Sequence, residues 1–209
     1  MSIKVACEYA DAEIASQPSI WAQVADFAPS SLHLLPEKGE KVAVVGCGSS
    51  WFMSMAYASL REAAGHGETD VYVGSEMNYE RKYDKIVSIS RSGTTTEVVK
   101  MLEKTKIPSV MLTSVHGSPV TEHATHSIVM PFADEKSVVQ TRWATSILGL
   151  LRAHNGFNLM AAADDAAIAV KSDLGDLVNV NQITFLGHGW TNALAQEAGL
   201  KTREAAQFW

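Results

Sequence analysis

Val42-Ala43-Val44-Val45-Gly46-Cys47-Gly48-Ser49-Ser50 decides the fold. Four apolar residues run without a polar alternate and stop at a glycine. That pattern is a strand buried on both faces, as in a parallel sheet covered by helices. The Gly-x-Gly turn leads into a helix predicted over 50–64, with Ser49 or Ser50 as its N-cap and Gly65 and Gly67 beyond its end. Working outward, Val71-Tyr72-Val73 is a second strand, with a short helix near 75–80. Ile86–Ile89 is a third, Val110–Thr113 a fourth and Ser127–Met130 a fifth. Helices are predicted over 95–105, closed before Pro108, and over 139–154. Strands alternating with helices call for right-handed crossovers. The fold class is therefore α/β: a three-layer sandwich whose five-stranded parallel sheet is flanked by helices.

The flanks read differently. The first thirty residues form a helix or two, interrupted at Pro18, with Ile14, Ile20, Trp21, Val24 and Phe27 at helical spacing. Leu34–Lys41 is a linker. Residues 159–178 are Ala-rich and helical, and another strand is expected at Ile183–Leu186. Ile183-Thr184-Phe185-Leu186-Gly187-His188-Gly189-Trp190 repeats the layout of Val42–Ser49. A recurring supersecondary unit suggests two copies of one domain. The expected organisation is a helical segment over 1–40, a first domain over 41–157, a helical linker over 158–181, and the start of a second, incomplete domain over 182–209.

Composition narrows the function. Of 209 residues, 46% are hydrophobic and 19% charged, which supplies a core and excludes disorder as the main state. The net charge is −6, from 23 acidic and 17 basic residues, with no basic stripe for nucleic acid. No apolar run is long enough to cross a bilayer. The first twenty residues carry Glu8, Asp11 and Glu13 and no apolar signal segment. Cys7 and Cys47 lack metal or redox spacing, so free thiols and a cytoplasmic protein are expected. His116, His123 and His126 lie in a turn rich in Ser, Thr and Pro, which reads as solvated rather than metal-binding. Trp21, Trp51, Trp143, Trp190 and Trp209 read as core or interface.

Three segments carry chemistry. Gly46–Ser50, with Gly48 and Ser49 at its centre, lies at the carboxyl end of the first strand, where open parallel sheets bind ligands; a tight strand–helix turn with no ligand is the alternative. A dinucleotide fingerprint needs glycine at 51; Trp51 stands there, which disfavours a nicotinamide or flavin dinucleotide. Ser88-Ile89-Ser90-Arg91-Ser92-Gly93-Thr94-Thr95-Thr96-Glu97 places six hydroxyls in ten residues at a helix start. Hydroxyls and orphan N–H groups suit a phosphate, with Arg91 adding charge; a simple N-cap by Thr94 or Thr95 is the alternative. The two turns converge if the strand order is flavodoxin-like, 2-1-3-4-5. Glu197, Lys201 and Glu204 share one face of the last helix. They read as a solvent-facing ion pair, or as a proton shuttle beside a carbonyl.

The segments Gly46–Ser50, Ser90–Glu97 and Glu13-Ile14-Ala15-Ser16-Gln17-Pro18 together resemble the sugar isomerase (SIS) domain family. The double-domain branch is most similar: the isomerase half of glucosamine-6-phosphate synthase, ketose/aldose isomerases and amino-sugar-phosphate deaminases. The resemblance implies a sugar phosphate as ligand, bound by Ser50, Ser90, Arg91, Ser92 and Thr95. It implies a sugar-contacting loop at Ser137–Arg142, with Val138 and Gln140 facing the sugar. It implies Glu204 as the base moving a proton between C1 and C2, with Lys201 assisting at the hydroxyl. No cofactor or metal is called for, and a homodimer is expected. The family's His-Gly-Pro segment after the catalytic helix has no counterpart before Trp209. A non-catalytic phosphosugar-binding module is the alternative function.

Overall fold

The computed structural model describes residues 3–206, with side chains from Tyr9 to Ala206; Cys7 and Trp209 fall outside the described side chains. Helix α1 (Ile3–Phe27) precedes strand β1 (Val42–Gly46), helix α2 (Ser49–Ala63) and strand β2 (Thr69–Val73). Then come β3 (Lys85–Ile89), α3 (Thr96–Lys104), β4 (Ser109–Thr113), α4 (Pro119–His123) and β5 (His126–Val129). Helices α5 (Arg142–His154), α6 (Leu159–Ala169) and α7 (Thr191–Ala206) follow.

The five strands lie in the order β2-β1-β3-β4-β5, and every neighbouring pair is parallel. All of β1 is buried. Its residues alternate between two cores. Val42 and Val44 join Val87, Ile89, Val110 and Leu112 beneath α1, α2 and α5. Ala43 and Val45 join Ile86 and Met111 beneath α3 and α4, where Val98, Met101, Leu102 and Val120 close the layer. An unbroken apolar strand is thus the sequence form of a sheet covered twice. Trp143 of α5 is fully buried in the larger core, with Trp21, Trp51 and Trp190 packed at its margin.

Several elements differ from the sequence expectation. Pro18 does not interrupt α1, which continues through it. A proline leaves the carbonyl four residues back without its donor. Here that carbonyl is Ile14 O, and the Gln17 side-chain amide donates to it at 3.4 Å. The helix expected near 75–80 is only a 3-10 turn at Gly74–Glu76. The N-cap of α2 is Gly48 at φ +58°, and neither serine caps. A β-carbon at Gly46 would come within 2.6 Å of the Ser50 backbone, so the strand must enter this turn on a glycine. α5 begins at Arg142 rather than near 139, because the Glu135 carboxylate accepts the Thr141 and Arg142 N–H bonds at 2.9 and 3.1 Å and fixes its start. α6 stops at Ala169; the Asp173 carboxylate then accepts from Gly175 N–H at 2.9 Å, the side-chain turn that competes with helix.

Ile183–Leu186 forms no strand. A strand needs a neighbour for its N–H and C=O groups, and none pairs with it among the described residues; Leu186 is 90% exposed. The turn that follows does repeat the first one. Gly189 has φ +55°, matching Gly48, and a β-carbon at Gly187 would strike the Thr191 carbonyl as one at Gly46 would strike Ser50. Among the described residues no helix is long and apolar enough to cross a membrane.

Candidate functional site

The chain leaves β1 towards β2 on one side and returns to β3 on the other. The carboxyl ends of β1 and β3 are therefore neighbours at the switch point of the sheet, the place where open parallel sheets bind ligands. The turns 46–50 and 90–95 meet there.

The 90–95 turn is a hydroxyl cup. Ser90 Oγ lies 2.7 Å from Thr95 Oγ1, and Ser92 Oγ lies 2.8 Å from Thr94 Oγ1. Thr95 occupies the N-cap position of α3 yet its side chain makes no cap hydrogen bond. The simple-cap alternative is thus not what Thr95 does: its hydroxyl is spent on Ser90. The cup is neutral, and the start of α3 adds the positive end of a helix to it. Ser49 and Ser50 are buried beside it at the head of α2.

Arg91 does not point its guanidinium at these hydroxyls. Its Nη1 donates to the Glu135 carbonyl and lies 3.8 Å from the Asp134 carboxylate. Its own carbonyl accepts from Ser114 N–H, Ser114 Oγ and Thr113 Oγ1 at 3.0, 2.8 and 2.9 Å. Arg91 thus ties the cup to the 134–142 loop. In that loop Val138 is 94% exposed, while Gln140 Oε1 and Ser137 Oγ are buried with no protein partner. Burial pushes the Glu135 carboxyl up, against the opposing pull of its hydrogen bonds from Thr141.

Helix α7 brings its charged face to the same place. Lys201 Nζ donates to Ser49 Oγ at 2.9 Å and to Glu204 Oε2 at 2.6 Å, and lies 3.5 Å from Glu197 Oε1. One ammonium therefore sits between two carboxylates against the Gly-x-Gly turn, 152 residues back in sequence. Glu204 keeps 40% of its side chain in solvent. Glu197 is only 9% exposed, and burial raises its carboxyl pKa, which Lys201 and a hydrogen bond from Ser49 oppose. Glu197, the first of the three on this helix face, is therefore not solvent-facing; the four-residue step to Lys201 is its signal in the sequence. The three histidines of the 116–126 segment do not converge: His123 Nε2 pairs with Glu103 at 3.5 Å, and no cluster of three metal-ligating side chains occurs among the described residues.

No family model matches the chain. It is 26% identical over 184 residues to a glutamine–fructose-6-phosphate aminotransferase [isomerizing] of Sulfolobus acidocaldarius, covering 79% of this chain and 31% of that protein. The chain thus spans about a third of the length of such relatives. Among solved structures it superposes on the tagatose-6-phosphate ketose/aldose isomerase of Escherichia coli with TM-score 0.74 and 20% identity, covering 92% of this chain and 63% of that one. It superposes on the C-terminal domain of glucosamine-fructose-6-phosphate aminotransferase of Francisella tularensis with TM-score 0.71 and 22% identity, covering 94% and 66%. The resemblance carried by the three sequence segments holds. The chain's relatives are isomerizing aminotransferases, and its fold is that of sugar-phosphate isomerases.

Proposed function

We propose that the chain binds a sugar phosphate between the β1 and β3 turns and interconverts its aldose and ketose forms by moving a proton between C1 and C2. The observation that carries this reading is the contact of Lys201 with Ser49, which sets a base and a cation beside the hydroxyl cup. Ser90, Ser92, Thr95 and Ser50 take the phosphate with the N–H groups at the start of α3. Gly48 and Ser49 let the ligand approach the backbone, and Arg91 acts from behind the cup through its main chain. Val138 and Gln140 face the sugar.

The chemistry balances within the sugar. The Glu204 carboxylate takes the proton from the carbon next to the carbonyl, and the electron pair forms the C1–C2 double bond of an enediol. Lys201 supplies a proton to the former carbonyl oxygen. The carboxylic acid then returns its proton to the other carbon as that carbon's neighbour becomes the new carbonyl, and Lys201 recovers its proton from the hydroxyl. An amino sugar would follow the same course through an enolamine. The relatives' names support this substrate class, since each acts on a hexose 6-phosphate or its amino derivative. We also read residues from 182 onward as the start of a second copy of the domain, and expect a homodimer.

A second reading is a non-catalytic phosphosugar-binding module; the 40% exposure of Glu204 favours it. Turnover of fructose-6-phosphate and glucosamine-6-phosphate by the full chain, against the Glu204→Gln variant, separates the two. Turnover lost in the variant with binding retained supports the enzyme. Binding without turnover in either protein supports the module. No binding of any 6-phosphosugar removes both.

A further inference from the structure

The Glu13 carboxylate is 4% exposed and forms no ion pair among the described residues. Burying a carboxylate without a cation is costly unless hydrogen bonds replace its water. Here the replacements come from the backbone of a distant loop. Lys136 N–H donates to Glu13 Oε1 at 2.5 Å, and Ser137 N–H lies 3.4 and 3.3 Å from the two carboxylate oxygens.

Glu13 is one rung of a rail. One helical turn further along α1, Ser16 Oγ accepts from Arg142 Nη1 at 3.2 Å, and Gln17 Oε1 accepts from Thr145 Oγ1 at 2.7 Å. Residues 13, 16 and 17 share a helix face, and that face grips the loop and the head of α5. The loop is gripped from the other side as well. Arg91 holds the Glu135 carbonyl, Ser114 Oγ donates to Asp134 at 2.7 Å, and the Glu135 carboxylate closes the loop on Thr141 and Arg142. Between these anchors stand Val138 and Gln140. Their own contacts do not fix them: Val138 is almost wholly exposed and Gln140 Oε1 has no protein partner.

We propose that Glu13 is a positioning residue that holds the 136–140 backbone at the height where Val138 and Gln140 read the sugar, and so controls discrimination of the sugar independently of the phosphate. The inference rests on the reading of the β1 and β3 turns as a sugar-phosphate site. It assigns α1, which lies outside the sheet, a part in specificity rather than in covering the core alone. The carboxylate suits the task because it accepts two adjacent N–H groups at once, which a neutral amide of the same shape does less well.

The test is calorimetric titration of the full chain and its Glu13→Gln variant with inorganic phosphate, fructose-6-phosphate and glucosamine-6-phosphate. Amide exchange at 136–137 is measured beside them. The expected result is phosphate affinity within twofold of the parent, hexose-phosphate affinity about tenfold weaker, and faster exchange at 136–137 with unchanged exchange at 90–95. Equal weakening of all three ligands would mean that Glu13 acts only through stability, and unchanged affinities would mean that it does not position the loop; either overturns the proposal. Glu13→Asp, which keeps the charge but not the reach, is expected to behave like Gln; if Asp restores sugar affinity, charge rather than position is at work and the proposal fails. A parent protein that binds phosphate but no hexose phosphate overturns the site reading instead, and with it this inference.

Discussion

Lys201 Nζ donates to Ser49 Oγ at 2.9 Å, joining the last helix to the first Gly-x-Gly turn across nearly the whole chain. This contact brings two separate sequence signals together. On the proposed function Lys201 is both a structural and a chemical residue, since the same ammonium lies 2.6 Å from Glu204 and 3.5 Å from Glu197.

The two roles separate by mutation. Lys201→Met leaves the buried Glu197 without its cation and is expected to lower unfolding stability by about 1–3 kcal/mol. Glu204→Gln alters a carboxylate that is 40% exposed and is expected to change stability by less than about 0.5 kcal/mol, while lowering isomerisation by about 10²–10⁴-fold. Urea unfolding and turnover of both variants check this. Equal loss of stability in the two would show that Glu204 is mainly structural.

The hydroxyl cup makes its own prediction. Ser92→Ala and Thr95→Val each remove one hydroxyl and break one of the two internal pairs, Ser92–Thr94 or Ser90–Thr95. Each is expected to weaken inorganic phosphate and hexose-6-phosphate binding by a similar factor of about ten, with no effect on an unphosphorylated sugar. Thermal shift against ligand concentration measures it. Thr95 makes no cap bond, so the stability that Thr95→Val loses in the unliganded protein, about 1 kcal/mol, comes from stranding the buried Ser90 hydroxyl.

The sheet and the cup were legible because each rests on a local signal. Val42–Val45 is apolar on both faces, and only a doubly covered strand needs that. Six hydroxyls before a helix exceed what a cap uses. The rest turns on partners that a local pattern does not show, some remote in sequence and some within one helical turn. Ile183–Leu186 has the composition of a strand, but a strand exists only where another offers its hydrogen bonds. Pro18 reads as a break until the Gln17 amide takes the orphaned Ile14 carbonyl. The partners of the Arg91 guanidinium, the Glu135 carbonyl and Asp134, are likewise set by the fold and not by the 90–97 stretch. Glu197 looks solvated on its helix, and is buried only because Ser49 and α2 lie against it.

Gly46→Ala and Gly48→Ala fail for different reasons. At Gly46 the added methyl meets Ser50 backbone atoms at 2.6–2.7 Å, which cannot move without shifting the head of α2. At Gly48 nothing lies within 4 Å, and the cost is the left-handed φ of +58°. With ψ at −129° that conformation is one glycine alone adopts readily, and alanine there is expected to cost about 1–3 kcal/mol; alanine at Gly46 is expected to cost about 2 kcal/mol or more with loss of phosphate binding. Chemical denaturation and phosphate titration of both variants check this; phosphate binding retained in Gly46→Ala would contradict the geometry.

Acid sensitivity is expected from the far end of the sheet. Burial, reinforced by the nearby Arg61, lowers the His154 pKa from 6.5 to about 4. Tyr57 and His154 Nδ1 are 3.0 Å apart, and the Pro36 carbonyl takes a hydrogen bond from the ring. With one ring nitrogen donating to Pro36, the neutral ring accepts from the Tyr57 hydroxyl at Nδ1. Protonation puts a hydrogen on Nδ1, so the Tyr57 hydroxyl must turn to accept and its own proton loses this partner, and it adds a second positive charge beside Arg61. The unfolded chain takes up this proton below about pH 6.5, and the folded protein only below about pH 4. The unfolded state thus binds more protons across that window, and stability falls as pH falls through it. Because the ring is only half-buried and partly screened, the loss from pH 7 to pH 5 is about 1–2 kcal/mol. His154→Gln keeps an acceptor for Tyr57 and cannot titrate, so its urea midpoint should fall less than the parent's over the same range. The carboxylates titrate alike in both proteins and cancel in the comparison. Parallel loss in parent and variant would place the acid-sensitive group elsewhere.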